Sequence, residues 1–161
     1  MTARTPEEKR QKRIETFCER MRGKSIEKIF NEPKTGLAAL AQKLTRLAQA
    51  DANGVCQCVT CDRQLHWKLM QGGHYVTRSN KATILLVGLN VNPQCPDCNR
   101  FNHGRPERYR AVLVERHGEA NVAALESMKL LKNHSWNRYE LAETKVNLLD
   151  EIKLHEKRLG I

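Results

Sequence analysis

Cys58-Val59-Thr60-Cys61 and Cys95-Pro96-Asp97-Cys98 are two cysteine pairs, and between them stand Gly72-Gly73-His74-Tyr75 and Asn90. Two residues between thiols let both sulfurs of a tight turn reach one tetrahedral ion, and a second pair completes a four-sulfur site with no open position. A closed site of that kind is structural. The spacing therefore predicts a zinc ion held by Cys58, Cys61, Cys95 and Cys98. From His74 a polar series follows: fifteen residues, Asn90, eight residues, Asn99, three residues, His103. A zinc ribbon with no further task has no need of that series.

Outside this stretch the chain is ordinary in size and unusual in charge. Its 161 residues, 40% of them hydrophobic, suit one modest core with appended helices. The longest apolar run, Ala82 to Leu89, is interrupted by Thr83 and Gly88 and is too short to span a bilayer. The first thirty residues are charged throughout and lack a signal-peptide core, so a cytoplasmic location is expected, where thiols stay reduced and metal binding outranks disulfides. Cys18 and Cys56 lie outside the paired pattern and read as unmodified thiols, although Cys56 is close enough in sequence to compete with Cys58. The formal charge is +10. Residues 1–50 carry twelve basic and six acidic side chains, residues 51–118 nine and five, and residues 119–161 seven and seven. The positive field belongs to the first two segments, which are expected to face nucleic acid.

The expected architecture is α+β and predominantly helical, in three regions: a basic helical region at 1–54, a zinc-stabilised core at 55–118, and C-terminal helices at 119–161 for packing or dimerisation. Pro6-Glu7-Glu8 opens a helix running to about Phe30, with Gly23 as a break, and Leu37, Leu40, Leu44 and Leu47 mark a second helix to Ala50. Asp51-Ala52-Asn53-Gly54 is turn chemistry. Gln64–Met70 and Gly73–Thr77 read as short antiparallel strands, with His74 near the start of the second. A helix is expected from about Cys98 to His117, interrupted or restarted at Pro106, and two more over 119–132 and 137–159.

Phosphodiester hydrolysis needs an activated water, a cation against developing charge, and stabilisation of the departing oxygen. His74 is the candidate base, since an imidazole titrates near neutrality; the competing reading is a histidine that only packs. Asn90 has an amide that both donates and accepts, suited to tying its loop to the strand and orienting His74. Asn99 offers an oxygen that suits magnesium or manganese better than zinc. His103, four residues on, would share its helix face; the competing reading is an ordinary surface residue. Arg78, Arg100, Arg105, Arg108 and Arg110 are candidates for a phosphate-binding surface, with a solvated arginine as the competing reading for each.

In order and spacing, these residues resemble the His-Asn-His/Asn (HNH, ββα-metal) nucleases. Gly73-His74-Tyr75, Asn90-Val91, Gln94-Cys95-x-x-Cys98-Asn99, Gly104 and Tyr109-Arg110 together resemble the Rap (NinG) family of bacteriophage recombination endonucleases, over roughly residues 40–130. That resemblance implies an HNH-like core and a magnesium- or manganese-dependent endonuclease. It would cut Holliday junctions and D-loops, leaving 5′-phosphate and 3′-hydroxyl ends. It gives Asn90 the middle position of the motif, and in the wider superfamily the His103 position binds metal. It also exposes a departure, since related nucleases often carry Asp or His where this chain has Gly73. Two alternatives stay open: a catalytically silent zinc-containing DNA-binding or architectural protein, and a sequence-specific restriction or homing nuclease. The apolar stripes of 137–159 suit either packing on their own chain or a homodimer whose two sites cut opposed strands.

Overall fold

In the computed structural model, which describes residues 4–77, 81–130 and 135–161, the first helix is fixed by its cap. Thr5 accepts from the Glu8 N–H while the Glu8 carboxylate returns to the Thr5 N–H, so α1 (Pro6–Met21) begins with two of its orphan donors satisfied. Gly23 then takes φ 74°, and the chain restarts as α2 (Ile26–Asn31) under a Ser25 cap. The expected break at Gly23 is real, and it splits one expected helix into two. The leucine stripe of α3 (Leu37–Ala48) is buried whole.

The last helix, α7 (Arg138–Arg158), lies along α1 and α3 and closes a four-helix core. Leu141, Val146, Leu148 and Ile152 are buried there with Ile14, Phe30, Leu37 and Leu47, each worth about 1.5–3 kcal/mol when fully buried. Arg10–Glu143 (3.1 Å), Arg13–Asp150 (2.6 Å) and Lys43–Glu156 (2.6 Å) line its seams. Of the C-terminal apolar stripe, Leu141, Val146, Leu148 and Ile152 pack within the chain, while Tyr139 and Leu154 stay exposed. Part of the basic face of α1 is spent on α7 rather than presented to solvent.

Two small antiparallel pairs fill the middle. β1 (Val55–Gln57) pairs with β2 (Gln64–His66), and β3 (Gln71–His74) with β4 (Val91–Gln94), so that His74 stands opposite Val91. The sequence suggested instead that the second and third of these segments form strands together, with His74 at a strand start; it is the last residue of β3. Thr83 lies in a short helical turn, α4 (Lys81–Ile84). After β4 the chain makes a π-helical turn (Asp97–Phe101), then α5 (Pro106–His117) and α6 (Glu119–Ser127), followed by a 3-10 turn (Met128–Leu130). Pro106 restarts the helix as expected.

The platform under β3 and β4 is α3. Thr45 donates to the Val91 carbonyl (2.7 Å), and Gln49 to the Asn92 side chain (2.8 Å). Arg46 of α3 caps the Trp67 and Met70 carbonyls and lies over the Trp67 ring. A side chain at Gly72 would stand 2.7 Å from Gln42, which explains why strand and helix approach only with glycine there. Among the described residues, no helix is long and apolar enough to cross a membrane.

Candidate functional site

The sulfurs of Cys58, Cys61, Cys95 and Cys98 all lie within 4.8 Å of one another, and Cys61 Sγ is 3.7 Å from Cys95 Sγ. Four sulfurs around zinc at bonds of about 2.3 Å stand roughly 3.8 Å apart, so the cluster has the dimensions of a tetrahedral site. Its electrostatics ask for a cation. Burial pushes Cys58 up, but the Cys95 N–H and Thr60 outweigh it and bring that thiol down to about 7. Burial pushes Cys61 up to about 12 and raises Cys95 as well. Four thiolates this close need a metal to share their charge. Cys56 does not compete: its Sγ donates to the Arg46 carbonyl (3.0 Å), and burial pushes its thiol up to about 11.

Beside this knuckle is an open cavity of about 390 Å3, whose walls bring together His74, Asn99, Arg100 and His103 with Gln42, Thr77 and the backbone of Gly72 and Gly104. Three parts of the chain meet there, the end of β3, the π turn with the residues after it, and the middle of α3. His74 is set by its neighbours. The buried Tyr109 hydroxyl donates to the Gly73 carbonyl (3.0 Å) and approaches the Asn90 carbonyl (3.3 Å). Burial raises its phenol, which keeps it a donor.

Asn90 does not line the cavity. It is fully buried, accepts from the Val76 N–H (2.6 Å) and donates to the Val76 (3.2 Å) and Thr83 (3.0 Å) carbonyls. The tie between loop and strand expected of it is what its contacts provide. Asn90→Ala strands a buried amide and two carbonyls, and should cost about 3 kcal/mol, read as a lower denaturant midpoint at unchanged slope.

Asn99 and His103 do share the cavity, but not through the helix periodicity expected. The π turn ends at Phe101, and His103 (φ 49°), Gly104 (φ 79°) and Arg105 (φ 48°) are three consecutive left-handed residues. Such backbone costs roughly 1–3 kcal/mol at each non-glycine position and persists only where it is held. It is held by Gly104 N–H to Cys98 (2.9 Å), by Arg105 N–H to Asn102 (2.9 Å), and by Gln94, whose Nε2 donates to Gly104 (2.7 Å) and to Thr60 (3.0 Å). Gln94 thereby links the cysteine knuckle to the cavity lip.

The same side chain fills the space beside Gly73. A Cβ there would overlap Gln94 Oε1 and stand 2.9 Å from Gln94 Cβ, so the acidic or histidine residue found at this position of the motif in HNH nucleases has no room. Gly73→Asp should therefore destabilise the fold by about 1–3 kcal/mol rather than supply a ligand, seen as a lower melting temperature.

A family model described as Bacteriophage Lambda NinG protein matches residues 2–158. The chain belongs to the NinG family. The protein ninG of Salmonella phage P22 is 26% identical over 130 residues, which make up 80% of this chain and 62% of that protein. The protein ninG of Escherichia phage 933W is 25% identical over 120 residues, 73% of this chain and 56% of its own length. The chain thus spans less than two thirds of the length of these relatives. No solved structure matches.

Of the arginines singled out in this NinG-family chain, Arg100 alone lines the cavity, among the described residues. Arg110 is bound by the carboxylates of Glu119 and Glu126, and Arg108 lies 3.8 Å from Asp62. Arg105 is exposed at the N-cap of α5, and Arg78 lies outside the described residues. Sequence reading missed Gln42, Gln71 and Thr77, and it quoted Gln94 within the motif without giving it a role. Gln71 lies between two site residues, its amide 2.7 Å from that of Asn99 and 2.9 Å from Arg100 Nε; a guanidinium only donates, so the Gln71 oxygen belongs on the Arg100 side. The one sequence signal for this is Gln94 beside Cys95, inside the motif.

Proposed function

We propose that this chain is a structure-specific endonuclease of the HNH type that cuts branched recombination intermediates, Holliday junctions and D-loops, by metal-dependent hydrolysis. The observation that carries this is the meeting of His74, Asn99 and His103 with Arg100 in one open cavity against the cysteine knuckle. The branched substrate and the phage recombination role rest on the resemblance set out above. In this reading His74, steered by Tyr109 through the Gly73 peptide, takes the proton of the attacking water. Arg100 holds a phosphate oxygen, and Gln71 fixes Arg100 and Asn99 relative to each other.

The donors are neutral, one amide oxygen and imidazole nitrogen, and among the described residues no carboxylate lines the cavity. Such a set fits magnesium or manganese that keeps most of its water and gains charge from the DNA phosphate. Asn99 and His103 would hold the ion, which when bound neutralises charge developing on the scissile phosphate. Zinc at the four cysteines is the structural partner of this site, since it fixes the π turn that carries Asn99.

One observation favours a second reading, a zinc-containing DNA-binding protein without catalysis: Gly73 and the missing carboxylate leave the metal with few protein ligands. The discriminating experiment uses labelled four-way junction, linear duplex and single strand, each with and without magnesium or manganese, with product ends mapped. Metal-dependent products with 5′-phosphate ends, favouring the junction, support the nuclease. Tight junction binding with no product under any metal supports the alternative.

A further inference from the structure

A second and larger cavity, about 530 Å3, opens between α1, the α2–α3 turn, α3 and α7. Its floor is apolar, built from Phe17, Met21, Leu40 and Ile152. Its rim carries five cations, Arg20, Lys24, Lys34, Lys43 and Lys145, against one carboxylate, Glu32. Lys24 is 3.4 Å from Glu32, and Lys43 is taken by Glu156 at 2.6 Å. Among the described residues, Arg20, Lys34 and Lys145 are in no salt bridge.

The cations are gathered there against their own repulsion. Lys34 holds a left-handed backbone (φ 64°) at the rim, and Arg20 and Lys145 both stand beside the Phe17 ring, 5.8 and 5.1 Å from its centre. Burial pushes the Lys145 ammonium below its ordinary range; Glu32 opposes this, while Lys24 and Arg20 add to it. An apolar floor inside a ring of under-compensated cations fits an anion with a flat apolar body.

We propose that this cavity takes an unpaired nucleotide of a DNA strand, the base on the apolar floor and the flanking phosphates on Arg20, Lys34 and Lys145. A lone carboxylate on an acyl chain would satisfy one or two of these cations and leave the others facing each other. A strand brings a phosphate on each side of every base, which matches cations placed around the opening. The proposal rests on the DNA reading above and deepens it. A D-loop carries an unpaired strand, so this pocket would select that substrate while the His74 cavity performs the chemistry.

The test uses the full chain and fluorescence anisotropy with two labelled probes, a blunt duplex and the same duplex carrying a single extruded thymidine. Base stacking of about 1–3 kcal/mol predicts roughly tenfold tighter binding of the extruded probe by the wild type. Lys145→Gln, which removes charge, and Leu149→Trp, which fills the cavity, should each bring that ratio to about one while cleavage of bound junction is unchanged. Thermal unfolding confirms that each variant is folded, and the near-isosteric change Lys145→Gln keeps the test decisive if Leu149→Trp is not. Equal binding of both probes by the wild type, a preference that survives both substitutions, or failure to bind either probe overturns the proposal. Free thymidine monophosphate binding as tightly as the strand overturns it too, since the ligand would then be a nucleotide and not DNA. Selective binding without cleavage leaves the pocket standing and sinks the nuclease reading.

Discussion

Cys95→Ser is expected to release the zinc and take the centre of the fold with it. Cys95 is buried, its sulfur is 3.7 Å from Cys61 Sγ, and it accepts the Cys98 N–H at 3.5 Å, so it is placed to be a ligand and also organises the turn that carries Asn99. The third hydrophobic cluster is assembled around these same sulfurs with Met70 and Ala50, which gives it little apolar area of its own. Structural zinc supplies roughly 10–16 kcal/mol of apparent binding energy in small domains, so losing one of four thiolates removes a large share of local stability. Metal analysis of the wild type purified without added metal should give about one zinc per chain. The variant should give none, with a lower melting temperature and earlier proteolysis between residues 55 and 105. The bundle of α1, α2, α3 and α7 has its own core and should keep its helical signal. A wild type that is folded and free of metal would contradict the assignment.

His74→Ala should abolish cleavage while junction affinity stays within about twofold. General base catalysis contributes on the order of 100- to 10,000-fold, and no other imidazole stands on β3 to replace this one. The substitution leaves the Tyr109 hydrogen bonds to the Gly73 and Asn90 carbonyls in place, because they are made to backbone. The fold should therefore survive, which circular dichroism and zinc content would show. Single-turnover cleavage at saturating protein separates the two roles. A variant that binds weakly and cuts normally once bound would make His74 a binding residue, and one that cuts like the wild type would remove it from the chemistry.

The cysteine cluster was legible because ligand spacing is a local property, with two residues between thiols in each of two turns. The helices of the bundle were legible for the same reason, since Pro6-Glu7-Glu8, the break at Gly23 and the leucine stripe of α3 are written in neighbouring residues, whereas the Ser25 cap that starts a separate α2 was not read. Strand partners were not. β3 pairs with β4 across a connection containing α4, and Pro93 within β4 argues against a strand when read alone. That His103 would reach the cavity was foreseen, but through a helix. The chain instead takes three left-handed residues held by Gln94, a side chain that no helical period points to. The arginines show the same limit. Arg110 looks like a phosphate ligand until Glu119 and Glu126 fold against it, whereas Arg100 is kept at the cavity by Gln71, far away in sequence.

The central claim is that the cavity holding His74, Asn99, Arg100 and His103 is a hydrolytic centre. Its most direct test is single-turnover cleavage of an end-labelled four-way junction by excess wild-type protein, in magnesium and in manganese, with His74→Ala alongside. Nicks near the branch point are expected that require added metal and vanish in the variant. A wild type that saturates the junction and leaves both labelled strands intact in either metal would contradict it.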